Sequence, residues 1–161
     1  MNIYITGFMG VGKSTVARQL ALRLGLKWLD LDDVIQTKAG CTIRDIFDRF
    51  GESHFRDLEL ACLVDIKGAT VISLGGGTFV QGAARSLIAA HGFSINLDMS
   101  FNAIWSRVQG KKRRPLVRSY GELWRLFEQR RIFYQLADAT VALSGLENPR
   151  DVADLAMETL Q

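Results

Sequence analysis

Gly7-x-x-x-x-Gly12-Lys13-Ser14 stands between a short β-prone run, Ile3-Tyr4-Ile5, and the amphipathic, helix-prone stretch from Thr15 to Leu24. Strand, glycine loop and helix in that order are what a P-loop requires. A polyphosphate wrapped by backbone needs several N–H groups turned into one concavity, and residues without a Cβ let the chain turn that tightly, hence Gly7, Gly10 and Gly12. The helix that follows aims the positive end of its dipole at the same anion. Lys13 is then expected to reach the β- and γ-phosphates, and the Ser14 hydroxyl to meet Mg²⁺. Gly10-x-Gly12-x-x-Thr15, with Asp30 further on, partly imitates a dinucleotide fingerprint. Its third position wants Gly or Ala for helix packing, and that pattern gives no reason for Lys13-Ser14.

At 161 residues the chain is expected to form one domain, residues 1–161, with a substantial core. Its 48% hydrophobic and 23% charged content is ordinary for a globular protein. No run of eighteen apolar residues and no signal-peptide pattern is present, so the expectation is a cytoplasmic protein without membrane contact. A net charge of +3 is too small to argue for nucleic acid unless the arginines cluster. Cys41 and Cys62 lack metal spacing and are expected to be structural thiols.

Gly25 stops the first helix, and Leu26 to Leu29 is expected as a second strand ending at Asp30-Leu31-Asp32-Asp33. Strands alternating with helices predict a parallel α/β sheet, whose strand ends carry the ligand crevice and so deliver Asp30 and Asp32 beside the P-loop. One is expected to face a metal and the other an acceptor, while Asp33 suits the cap of the next helix. Helices follow over Ile43 to Phe50 and again from Gly51-Glu52, with Phe55, Leu58, Cys62 and Ile66 at helical spacing. Arg56 lies at the edge of that stripe, where helical pattern alone does not choose between pairing with Glu52 and binding an anion. A strand over Thr70 to Leu74 ends in Gly75-Gly76-Gly77. Three glycines in succession are costly in chain entropy, so something is expected to approach this backbone closely. Asp98, at the end of a fourth strand, is a weaker candidate than Asp30 for the carboxylate near the metal, because Ser94 and Asn96 interrupt its apolar run. The basic segment Lys111-Lys112-Arg113-Arg114-Pro115-Leu116 suggests either a solvated loop or a lid closing over a phosphoryl group. A helix with Arg125, Arg130 and Arg131, a fifth strand from Ala139 to Leu143, and a last helix opened by Asn148-Pro149 complete the domain.

Together these segments resemble the shikimate kinases over nearly the whole chain. Gly7 to Thr15 is similar to the family P-loop, Asp30-Leu31-Asp32 to its paired aspartates, and Gly51-Glu52-Ser53-His54-Phe55-Arg56-Asp57-Leu58-Glu59 to its G-E-x-x-F-R-x-x-E segment. Leu74 to Gly77 resembles its triple-glycine motif, Arg114-Pro115-Leu116 its lid, and Arg130, four residues before Tyr134, its last substrate-binding arginine. The resemblance implies a three-layer α/β/α P-loop fold with a five-stranded parallel sheet of order 2-3-1-4-5, acceptor-binding helices over about 32–63 and a mobile lid over about 110–120. It implies ATP-dependent phosphorylation of the shikimate 3-hydroxyl by a monomer. The implied catalytic residues are Lys13, Asp32 and Arg114, and the implied shikimate-binding residues are Asp32, Arg56, Gly76, Gly77 and Arg130. ATP would be bound by Gly10, Val11, Gly12, Lys13, Ser14, Thr15, Arg107 and Arg114, with Arg107 stacked on adenine, and Mg²⁺ by Ser14 and Asp30. Phe47 and Phe55 could pack against the substrate ring or belong to the core. Gln36 departs from the family's usual glutamate, and the basic excess at Lys111 to Arg113 exceeds what transfer requires.

Other small acceptors, gluconate or a nucleoside monophosphate among them, are compatible with the P-loop. The arginine pair with the triple glycine favours a compact carboxylate. A guanine-nucleotide switch lacks its Asn-Lys-x-Asp motif, and a nucleic-acid binder would interleave aromatics in the 111–118 run.

Overall fold

The computed structural model describes residues 1–109 and 119–161. Five strands, β1 (Asn2–Gly7), β2 (Lys27–Asp30), β3 (Thr70–Ser73), β4 (Gly92–Met99) and β5 (Ala139–Leu143), form one parallel sheet of order β2-β3-β1-β4-β5. The helices are α1 (Lys13–Leu24), α2 (Leu31–Ala39), α3 (Ile43–Asp65), α4 (Gly82–His91), α5 (Phe101–Gln109), α6 (Tyr120–Tyr134) and α7 (Pro149–Glu158). The central strands β1 and β3 are buried along their whole length, as apolar runs covered by helices on both faces must be. Edge strand β5 instead alternates buried Val141 and Leu143 with exposed Thr140 and Ala142.

Strand order dictates where each motif arrives. The P-loop follows β1 in the middle of the sheet, while Asp30 and the three glycines leave β2 and β3 on one side of it. The loops after β4 and β5 lie on the other side. The crevice at the strand ends is thereby divided into two sides about the P-loop.

Three local expectations change. Asp30, not Asp33, caps α2, its side chain accepting from the Asp32 N–H at 3.1 Å. Phe55 and Cys62 are buried on α3 as expected, but the buried residue between them is Glu59 rather than Leu58. Leu58 falls at the stripe's half-buried margin, and the break between the two expected helices is at Gly51, with φ of 81° and ψ of 174°. Ser119 caps α6, so residues 119 and 120, at the end of the expected lid range, are the cap and first residue of a helix. The other lid residues, Arg114 included, lie outside the described residues. Cys41 and Cys62 are free thiols, and among the described residues no helix is long and apolar enough to cross a membrane.

Candidate active site

The P-loop glycines have φ values of 136° at Gly7, 84° at Gly10 and 97° at Gly12, a region L side chains seldom enter. At Gly7 there is a second reason for glycine: a Cβ would sit 2.7 Å from the Leu97 carbonyl of the neighbouring strand. Gly12 caps α1 without a side-chain hydrogen bond, and the first turn carries no acid. Its amide donors therefore remain available to an anion. Lys13 Nζ donates to the Phe8 carbonyl at 3.0 Å, which curls the ammonium back over the loop.

Ser14 Oγ donates to Asp30 Oδ2 at 2.5 Å, and Ser73 Oγ donates to the same oxygen at 2.8 Å. Asp98 takes no part in this arrangement. One hydroxyl and one carboxylate, both hard oxygen donors, match what Mg²⁺ asks of a protein when water and phosphate oxygens complete its octahedron. Among the described residues no group of three or more His, Cys, Asp or Glu could hold a metal by itself.

Gly75, Gly76 and Gly77 do not need glycine for their dihedral angles, since none has positive φ. They need it for room. A Cβ on Gly75 would lie 2.9 Å from Asp32 Oδ1, one on Gly76 3.2 Å from Arg130 Nη1, and one on Gly77 inside the Arg56 guanidinium. Each glycine of the triplet thus makes space for a different predicted site residue. Arg130 comes from α6, Asp32 from the first turn of α2, and Arg56 from α3.

Arg56 Nη1 donates to Glu59 Oε2 at 2.5 Å and its Nη2 reaches Glu52 Oε1 at 3.2 Å. The open choice between pairing and anion binding thus acquires a third element: Glu59 is 2% exposed, and its other oxygen accepts from Thr78 Oγ1 at 2.5 Å. The carboxylate fixes one face of the guanidinium while the side chain stays half-buried at the crevice. Asp32 is held up to a pKa of about 6, first by burial and then by the charges of Asp30 and Glu59, with Lys13 pulling in the opposite direction. A carboxylate so poised accepts a proton near neutrality more readily than an ordinary aspartate.

Two cavities meet along the P-loop at Gly10, Gly12 and Thr15. One, about 420 Å³, is lined by Lys13, Ser14, Asp30, Asp32, Gly75 and Gly76. Its neighbour, about 310 Å³, runs between Gly10–Val16 and Leu143–Val152 and includes Arg107. Arg107 braces that second cavity, donating to the Val11 carbonyl at 3.4 Å and the Gly145 carbonyl at 2.9 Å. The Glu147 carboxylate folds the adjoining loop by accepting from Ser144 N, Ser144 Oγ and Gly145 N. Those bonds, the Ser144 N–H foremost, hold its pKa down to about 2.

The shikimate kinase family model matches residues 9–161. The chain is 40% identical to the shikimate kinase of Bradyrhizobium diazoefficiens over 99% of its own length and 79% of that protein's. The chain belongs to the shikimate kinases. Among solved structures of the family, the enzyme from Aquifex aeolicus superposes with a TM-score of 0.86 at 35% identity, covering 99% of this chain and 96% of that one. A shikimate kinase from Acinetobacter baumannii, in complex with shikimate, gives 0.87 at 32% identity over 99% and 92%.

Within this family member, Gln36 has a use of its own: its Oε1 accepts from the Ile43 N–H at 3.1 Å and so helps seat the start of α3. Phe55 is buried and Phe47 partly exposed, with ring centroids 4.7 Å apart, so Phe55 is a core residue and Phe47 lies at its margin. Sequence reasoning missed Glu59, Thr78 and Ser73 as supports of the site. Glu59 had a signal, an acid on an apolar stripe three residues after an arginine. Ser73 and Thr78 had none, because only strand pairing brings Ser73 opposite Asp30.

Proposed function

We propose that the shikimate kinase activity of this chain, transfer of the ATP γ-phosphoryl to the shikimate 3-hydroxyl, is carried by Asp32, Arg56 and Arg130 gathered on the triple-glycine strand end beside the P-loop. That convergence is the observation on which the reading rests. Shikimate is a cyclic triol carboxylate, and two guanidinium groups are suited to hold a carboxylate in a planar, bidentate fashion. The Gly76 and Gly77 N–H groups donate to no acceptor among the described residues and would serve the ring. Asp32 orients the 3-hydroxyl and takes its proton. Amides of Gly10 to Thr15 and Lys13 hold the triphosphate in line, and Arg107 with the loop after β5 receives adenine. Ser14 and Asp30 would hold Mg²⁺, which supplies positive charge to the β- and γ-phosphates when bound. Arg114 is proposed, from the family resemblance, to complete this neutralisation. The acceptor helices then correspond to α2 and α3, and the enzyme is proposed to work as a cytoplasmic monomer.

A coupled ADP-release assay across shikimate, gluconate and nucleoside monophosphates tests the acceptor, with turnover expected for shikimate. Lys13→Ala lowers kcat by roughly 10²- to 10³-fold, the loss expected when a donor to developing charge is removed. Unaltered turnover in the folded variant would take Lys13 out of the mechanism. Arg56→Ala and Arg130→Ala raise the shikimate KM by roughly 30-fold or more, corresponding to about 2 kcal/mol or above for a desolvated charge pair. Retention of shikimate affinity by both variants contradicts the carboxylate clamp.

A further inference from the structure

Tyr134 is the last residue of α6 and is 3% exposed. A buried phenol needs a partner, and its O–H donates to the Gly76 carbonyl at 2.5 Å. Arg130, one turn earlier on the same helix, lies against the same oxygen, and its positive charge favours the phenolate. Burial outweighs that effect and pushes the Tyr134 pKa to about 12. The O–H is therefore present as a donor at any pH at which the enzyme works.

Gly76 touches everything at this point. The space that a Cβ would take there is bounded by Arg130 Nη1, Tyr134 Oη at 3.8 Å and the Met9 amide nitrogen of the P-loop at 3.9 Å. Three successive glycines have wide freedom of rotation, and this turn is pinned through its carbonyls: Gly75 accepts from the Thr78 N–H at 3.1 Å and Gly76 accepts from Tyr134. The second of these has a covalent consequence. The Gly76 C=O and the Gly77 N–H belong to one planar trans peptide, so a carbonyl held toward Tyr134 forces the Gly77 N–H to point the opposite way.

We propose that Tyr134 is a positioning residue of the acceptor site, whose one hydroxyl sets both the direction of the Gly77 N–H and the place of the Arg130 guanidinium. It touches neither substrate nor phosphate in this role; it acts through the two groups that do. Its own backbone is rigidly held, because its carbonyl accepts from the Ala137 N–H at 3.1 Å in the turn that leads to β5. The inference rests on the acceptor reading given above and adds to it a residue outside the arginine clamp.

Tyr134→Phe deletes the oxygen and keeps the ring that fills the core. The expected result is a five- to twentyfold rise in shikimate KM, an ATP KM within twofold of the parent, a smaller loss in kcat, and a thermal midpoint close to the parent's. In an Arg130→Ala background the same change costs less than in the parent, since one of its two targets is already gone. A shikimate KM unmoved in folded Tyr134→Phe overturns the proposal, as does an equal rise in both KM values, which would mark a structural role. Tyr134→Met, with similar bulk and no hydroxyl, supplies the same readings if the Phe variant folds poorly. If Arg56→Ala and Arg130→Ala both leave the shikimate KM intact, the acceptor reading fails; if only the Tyr134 variants do, this inference fails alone.

Discussion

Asp32→Asn is expected to abolish most of the turnover and, at the same time, to make the protein more stable. Loss of a positioned base lowers kcat by roughly 10²- to 10⁴-fold, with the ATP KM little changed. An equal loss in ATP affinity would move Asp32 to the metal's side of the site. The stability gain follows from the sign of its shift. An aspartate whose folded pKa is raised from 3.8 to about 6 favours the protonated form in the native state. Its contribution is neutral or helpful below the unfolded value, and stability is lost as pH rises from about 4 through 6. Two pKa units correspond to about 3 kcal/mol, a ceiling for the gain, because the new amide must find partners in the same pocket. For a domain of this size that is a thermal-midpoint increase of up to roughly 6–12 °C above pH 7. Melts at pH 4.5 and 7.5 on parent and variant separate this residue from the other carboxylates, since only the parent should carry the extra slope. In the parent, kcat/KM falls on the acid side with an apparent pKa near 6, and a flat profile down to pH 5 argues against Asp32 as the base.

Gly77→Ala should be as damaging to shikimate binding as removing an arginine, though it removes no charge. The added methyl falls within the Arg56 guanidinium, which is tied to buried Glu59 and cannot swing aside without leaving that carboxylate to Thr78 alone. Breaking one side of a buried charge pair costs roughly 2–5 kcal/mol, so a rise in shikimate KM on the order of 10²-fold is expected with the ATP KM near the parent value. Gly75→Ala makes a control with a different signature. Its methyl meets Asp32 Oδ1 instead, so kcat should fall before shikimate KM rises. Steady-state kinetics on the two variants decide the matter: indistinguishable profiles would mean that the glycines serve flexibility rather than clearance.

Motifs that act through backbone or local spacing were legible from the residues. The P-loop, the strand ends and the sheet order all follow from local pattern or from the family resemblance, and each is present as expected. The need for a close approach at Gly75 to Gly77 was also legible, but not what approaches, because Asp32, Arg56 and Arg130 come from three helices far apart in the chain. Asp33 was favoured as the α2 cap, but the helix already starts at Leu31, within hydrogen-bonding reach of Asp30. On α3, Phe55 and Cys62 are buried as expected, but with Leu58 taken for the residue between them, buried Glu59 was left without a role beyond closing the family segment. Tyr134 served in the sequence only as the landmark four residues after Arg130, with no role of its own. Its partner is a backbone carbonyl 58 positions away, and side-chain patterns hold no information about such a bond.

The glycine triplet also constrains how this enzyme could change its acceptor over evolutionary time. A strand end already at the smallest volume the genetic code allows offers nothing more to remove, so a larger or differently charged acceptor cannot be admitted by trimming that wall. Drift toward a new substrate has to begin on α2, α3 or α6, with the tripeptide carried along unaltered.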